Sequence, residues 1–156
     1  MLVNAIWDFD GTLYDSYPGM MKALAALVTA NGGQIEPKTL YRQVKETSIK
    51  QFLTCFGQQV GRSVADLEAD YHQRARAYLQ DIHPYPEALA VLKAIKAQGG
   101  HNLLLTHRDR SAWEILAHDQ ADTLFLGGVD ADLKLPRKPA PDAVSYTHLR
   151  AHETTL

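Results

Sequence analysis

Residues Ala5-Ile6-Trp7-Asp8-Phe9-Asp10-Gly11-Thr12 decide how the rest of the chain is read. The apolar run 5–9 is short and ends in a turn around Gly11, which predicts a buried strand. Asp8 and Asp10 then lie two apart at the carboxyl end of that strand, just where open α/β sheets place their ligands. Strand alternation alone puts both side chains on one side, and the turn at the glycine lets the backbone close around an anion. One carboxylate could attack phosphorus while the other trades a proton with the leaving oxygen. Taken alone, paired acids before a glycine also read as an ordinary solvated turn.

Working outward, helical signals follow almost without a break. Pro18 suits the first turn of a helix over 18–30, which Asn31-Gly32-Gly33 stops. Pro37 opens a second over 37–44, and a third covers 49–56. Ser63, with Asp66 three residues on, forms a weaker version of the capping box ahead of a fourth helix. The apolar positions of that helix, Leu67, Tyr71, Ala75 and Tyr78, recur every three or four residues, as one helix face requires. From Pro84 the elements alternate: a helix over 86–97 stopped by Gly99-Gly100, a continuous apolar strand over 102–106, a helix over Ser111–His118, and a short strand over 123–126 running into Gly127-Gly128. This order predicts an α/β fold, a Rossmann-like parallel sheet core with an inserted α-helical cap. The expected division is a core of 1–13 and 84–143 and a cap of 14–83.

Composition narrows the classes. With 46% hydrophobic and 22% charged residues over 156, the chain is an ordinary globular one. A net charge of −2 gives no basic excess for nucleic acid, and no aromatics interleave with a basic stripe. No apolar run approaches the roughly 20 residues of a membrane span. The start, Met1 to Trp7, lacks a basic n-region and reaches an acid too soon for a signal peptide. Cys55 is the lone cysteine, so there is no internal disulfide; within Phe52-Leu53-Thr54-Cys55-Phe56 it reads as a small core residue. A reducing, cytoplasmic setting is expected. The histidines at 72, 83, 101 and 118 show no zinc-ligand spacing.

The full string Asp8-Phe9-Asp10-Gly11-Thr12-Leu13-Tyr14-Asp15-Ser16 closely resembles the first motif of the haloacid dehalogenase-like superfamily. Thr106 falls where that family places a Ser or Thr that hydrogen-bonds the phosphoryl group, at the end of Leu103-Leu104-Leu105. Lys138, in Lys138-Pro139-Ala140-Pro141-Asp142, matches its Lys-Pro-x-Pro-Asp motif. By this resemblance Asp8 is the nucleophile that forms an aspartyl-phosphate, and Asp10 the general acid/base. Both acids are also expected to hold Mg2+, Asp10 through its backbone carbonyl, and Thr106 and Lys138 to hold phosphate. An acid at the position of Asp10 marks the phosphatase and phosphomutase branches; the dehalogenases lack it. The insert resembles the type 1 helical cap, which closes over the site and supplies substrate contacts. Lys45 and Lys50, in the break between the second and third cap helices, and His107 and Arg108, just after Thr106, are therefore candidates to touch substrate. Apart from the motifs, Thr106 reads as a cap for the next segment, and Lys138, Lys45 and Lys50 read as solvated surface lysines.

The resemblance implies a Mg2+-dependent phosphatase acting on a small phosphorylated metabolite, as a monomer or weak dimer. A phosphomutase of the β-phosphoglucomutase type is the nearest alternative, followed by a phosphoacceptor module or a non-catalytic binding protein. The family's fourth motif, an acidic pair after a further strand, does not follow Lys138. Asp130 and Asp132 imitate it but precede the lysine. The core is thus expected to be incomplete, and the 156-residue chain poorly stable and nearly inactive. Residues 144–154 resemble a translated transposase sequencing adapter, so 144–156 is expected to be a non-native tail.

Overall fold

A computed structural model describes residues 4–135, 138, 141, 142 and 144–146. In chain order the elements are β1 (Asn4–Trp7), β2 (Tyr14–Asp15), α1 (Tyr17–Ala30), α2 (Pro37–Glu46), α3 (Ile49–Val60), α4 (Val64–Ala75), β3 (His83–Pro84), α5 (Ala88–Ala97), β4 (His101–Leu105), α6 (Ser111–His118) and β5 (Phe125–Val129). Short 3-10 turns lie at Arg76–Asp81, Asp122–Leu124 and Ala131–Leu133. The chain forms two compact units, Met1–Asp15 with His83–Leu156, and Ser16–Ile82.

The first unit is an α/β core around a parallel sheet in the order β1-β4-β5. Parallel pairing demands crossovers, and α6 supplies the one between β4 and β5. The central strand β4 is buried from Asn102 to Leu105, as its unbroken apolar run predicts. Asn102 is the polar exception, and it is fully buried. Its Oδ1 accepts from Trp7 Nε1 at 2.9 Å, and its Nδ2 donates to the carbonyls of Leu92 at 2.9 Å and Leu124 at 3.1 Å. One satisfied amide thereby ties β1, α5 and the turn before β5 to the middle of the sheet. Among the described residues β1 has a partner on one side only, and its Ile6 is 42% exposed.

The strand expected over 123–126 begins later and runs further. A 3-10 turn occupies Asp122–Leu124, and β5 continues through both glycines to Val129. Gly127-Gly128 looks like a turn in sequence, but the glycine at 128 is there for close approach. A Cβ on Gly128 would lie 2.6 Å from Leu104 Cβ and collide with the Leu104 carbonyl. The register shifts between Asn102 and Leu103, which face Phe125 and Gly127. A two-residue antiparallel pair, Tyr14 with Pro84 and Asp15 with His83, is too short to leave a periodic signal.

The helical unit packs α1 to α4 around Leu24, Leu27, Leu40, Leu53 and Leu67, all essentially inaccessible. The starts at Pro37 and after Ser63 follow the expected signals, while α2 and α3 run on to Glu46 and Val60, past the expected ends at 44 and 56. Pro37 opens α2, where the Glu36 side chain caps the Thr39 amide; Ser48 caps α3 and Ser63 caps α4 by accepting from the amides of Gln51 and Asp66. The Ser63 hydroxyl and the Asp66 carboxylate also meet at 2.6 Å. The fourth helix stops at Ala75, and Tyr78 leaves helical geometry at φ −116°. Cys55 is exposed, contrary to the core position expected for it. The helical phase explains this: Phe52, Leu53, Phe56 and Gly57 form the buried face of α3, and position 55 falls outside it.

Candidate active site

The turn after β1 organises the first motif. Gly11 takes φ +73°, a left-handed conformation that suits glycine. The Phe9 carbonyl collects the amides of Leu13 at 3.1 Å and Tyr14 at 3.0 Å, with Thr12 at 3.4 Å, and the Gly11 amide returns to the Tyr14 carbonyl at 2.8 Å. Phe9 and Tyr14, both fully buried, stack with centroids 4.6 Å apart and anchor this turn. Tyr14 Oη donates to Asp119 Oδ2 at 2.9 Å. Burial first, then the bond to Asp119 and its charge, push the phenol above its usual range, so it stays protonated.

With that turn pinned, Asp8 and Asp10 stand at the end of β1, beside the end of β4. Lys138 Nζ reaches Asp8 Oδ1 at 2.9 Å and donates to the Leu105 carbonyl at 3.0 Å. Thr106 is buried; its amide extends the sheet to Val129 O at 2.9 Å, and its Oγ1 accepts from the Arg108 amide at 3.0 Å. That bond leaves the Thr106 hydroxyl proton to donate elsewhere. The structure thus brings Asp8, Asp10, Thr106 and Lys138 to one end of the sheet.

His107 and Arg108 are held by this same cluster. His107 Nε2 accepts from the Lys138 amide at 2.9 Å, so it holds the backbone of the lysine itself. Arg108 donates through Nε at 3.0 Å and Nη2 at 2.7 Å to one oxygen of Asp10, Oδ1. Its guanidinium also lies 5.4 Å from the Phe9 ring centroid and 3.4 Å from Ser111 Oγ. No sequence signal pairs Arg108 with Asp10; the two are 98 residues apart. Lys45 and Lys50 belong to the helical unit. Lys45 Nζ donates to Tyr41 Oη at 3.2 Å and lies 4.8 Å from the Tyr17 ring centroid, whereas Lys50 sits exposed on the first turn of α3.

The acids after β5 do structural work. Asp130 Oδ1 accepts from the Asp132 amide, and Asp132 Oδ2 from the Arg110 amide, both at 3.0 Å. Among the described residues no three His, Cys, Asp or Glu side chains gather as a metal site. Asp8 and Asp10 are hard oxygen donors, at 42% and 29% side-chain exposure. That donor set fits Mg2+, which commonly keeps several waters and binds one or two carboxylates with substrate phosphate.

Of the tail expected over 144–156, residues 147–156 lie outside the described residues. Tyr146 packs against Leu105 and Val129. Residues 139 and 140 of the lysine motif also lie outside them.

A family model described as haloacid dehalogenase-like hydrolase matches residues 4–147. No curated protein sequence matches the chain significantly. Among solved structures, a candidate β-phosphoglucomutase from Thermotoga maritima aligns with a TM-score of 0.78 at 19% identity, over 97% of this chain and 71% of that one. A candidate haloacid dehalogenase-like hydrolase from Bacteroides fragilis aligns at 0.78 and 18%, over 96% and 73%. A predicted phosphoglycolate phosphatase from Haemophilus somnus aligns at 0.68 and 19%, over 93% and 68%.

Proposed function

The chain belongs to the haloacid dehalogenase-like hydrolases, and from that premise we propose that it hydrolyses a small phosphate monoester through a phosphorylated Asp8. The observation that carries the reading is the ion pair of Lys138 Nζ with Asp8 Oδ1 at 2.9 Å, across 130 residues of chain and beside buried Thr106. A nucleophilic carboxylate, a compact cation and a hydroxyl donor at one strand end suit the binding of a tetrahedral dianion.

In this mechanism an Asp8 oxygen attacks phosphorus in line, and the P–O bond to the leaving alcohol breaks. Asp10 gives that oxygen its proton, then takes one from the water that cleaves the acyl phosphate. The Thr106 hydroxyl and the Lys138 ammonium hold the phosphoryl oxygens while charge moves between them. Arg108, bonded to Oδ1 of Asp10, leaves Oδ2 to carry the proton. Mg2+ held by Asp8 and the Asp10 backbone carbonyl would supply positive charge against carboxylate and phosphate together. The helical unit over 16–82 is read as the cap, with Lys45, Lys50 and His107 as candidates for the non-reacting part of the substrate. A cytoplasmic monomer or weak dimer acting on a soluble metabolite completes the proposal; among the described residues no helix is long and apolar enough to cross a membrane.

The test is phosphate release from a panel of small monoesters, with and without Mg2+. Asp8→Asn should lower the rate at least about a thousandfold, as loss of a nucleophile does. An Asp8→Asn protein as active as the parent would end the reading. The structural likeness to a candidate β-phosphoglucomutase keeps phosphoryl transfer between sugar positions as the second reading. Interconversion of sugar phosphates with little free phosphate would favour it.

A further inference from the structure

We propose that the helical unit carries a binding pocket of its own, for a small neutral or singly cationic molecule with a flat apolar body. The half-open cavity lies among α1, α2 and α3 and has a volume of about 350 Å3, within the range of small-molecule sites. Its floor is apolar, made by Val28, Ile35, Phe52 and Phe56. The two phenyl rings, nearly buried, lie 6.0 Å apart and within 9° of parallel, so an apolar guest would rest on a floor continuous with the core.

Above that floor the wall turns polar without becoming basic. Gln34, Gln43, Gln51 and Gln59 line it, and each side-chain amide both donates and accepts. Glu46 is the one charged side chain of the lining, which contains no Lys or Arg. An anion placed there would meet a like charge and find no counter-ion, whereas a monocation would gain one. Phosphorylated compounds are therefore the wrong class for this pocket. The site is independent of the hydrolase reading, because none of Asp8, Asp10, Thr106 or Lys138 lines it.

Cys55 supplies a reporter, since it lines the pocket, is exposed and is the sole thiol of the chain. The experiment follows its alkylation by iodoacetamide, read by intact mass, in the presence of indole, benzamidine or benzoate. Indole and benzamidine should slow the reaction saturably, about threefold at twice the dissociation constant, and benzoate should not. Gln43→Arg, an exposed substitution on α2, should reverse the preference, so that benzoate protects and benzamidine no longer does. In the unsubstituted protein, the side-chain amide resonance of Gln51 should shift with indole. Labelling rates untouched by indole and benzamidine, equal protection by benzoate, or an unmoved Gln51 resonance would each overturn the proposal.

Discussion

Arg108 shows how much one side chain can carry. Both its hydrogen bonds to the acid go to Asp10 Oδ1, at 2.7 and 3.0 Å, and the guanidinium is only 13% exposed. Its backbone amide meanwhile holds Thr106 Oγ1, and its carbonyl accepts from Ala131 at 2.9 Å. Charged hydrogen bonds of this kind contribute about 1.5–3 kcal/mol. Arg108→Ala should therefore lower kcat/KM about tenfold to a hundredfold. Arg108→Lys should recover only part of the loss, because an ammonium cannot reproduce the planar fork. Steady-state kinetics on both variants check this, and a full rescue by lysine would show that charge alone matters. His107, a candidate to meet substrate, also accepts from the Lys138 amide, which gives it a part in placing the lysine.

At the scale of elements, two contacts decide how helices and strands seat. In the helical unit, Asp70 on α4 takes Arg74 Nε at 2.7 Å and Arg62 Nη1 at 3.0 Å, and Arg62 also reaches Asn31 Oδ1 at the end of α1, at 2.9 Å. Burial tends to raise the Asp70 pKa, but the two guanidinium groups outweigh it and hold the carboxyl below its usual 3.8. A carboxyl depressed in the folded state adds stability above its unfolded pKa and loses it as pH falls through the folded one. Asp70→Asn should thus cost about 1 kcal/mol near neutrality, and the gap from the parent should close below about pH 3.8. Urea titrations at neutral and acid pH measure both. In the sheet, Gly128→Ala would force its methyl against Leu104. Overpacking of that sort costs about 1–3 kcal/mol, so the melting temperature should drop while Gly127→Ala, with open space around it, changes it less.

Over the whole molecule, the chemistry and the cores are separable. Asp8 is 42% exposed at a strand end, and its side chain meets Lys138 and the Phe9 amide. Asp8→Asn should therefore abolish turnover while leaving the circular dichroism and unfolding midpoint close to those of the parent. The helical unit has an apolar cluster of its own, from Ala23 to Tyr71, and the α/β unit is threaded by the Asn102 bonds. The balance of two carboxylates, Asp8 and Asp10, against Lys138 and Arg108 leaves that strand end near neutral before any phosphate or cation enters.

Much of this was legible from local sequence. The cap at Ser63, the Pro37 start, the Asn31-Gly32-Gly33 stop and the apolar run of β4 act within a few residues, so sequence alone determined most of the helices and the α/β class. The string from Asp8 to Ser16, with Thr106 and Lys138, pointed to the family for the same reason: each motif is a contiguous segment with its own turn chemistry. Other features depend on neighbours distant in the chain. Gly127-Gly128 became strand because β4 approaches too closely for a side chain, and Cys55 faced outward because the buried face of α3 settles on Phe52 and Phe56. Arg108 found Asp10, and His107 the Lys138 amide, across loops that no periodicity encodes. Those pairings were decided by tertiary structure alone, since only folding brings charges 98 residues apart within hydrogen-bonding reach.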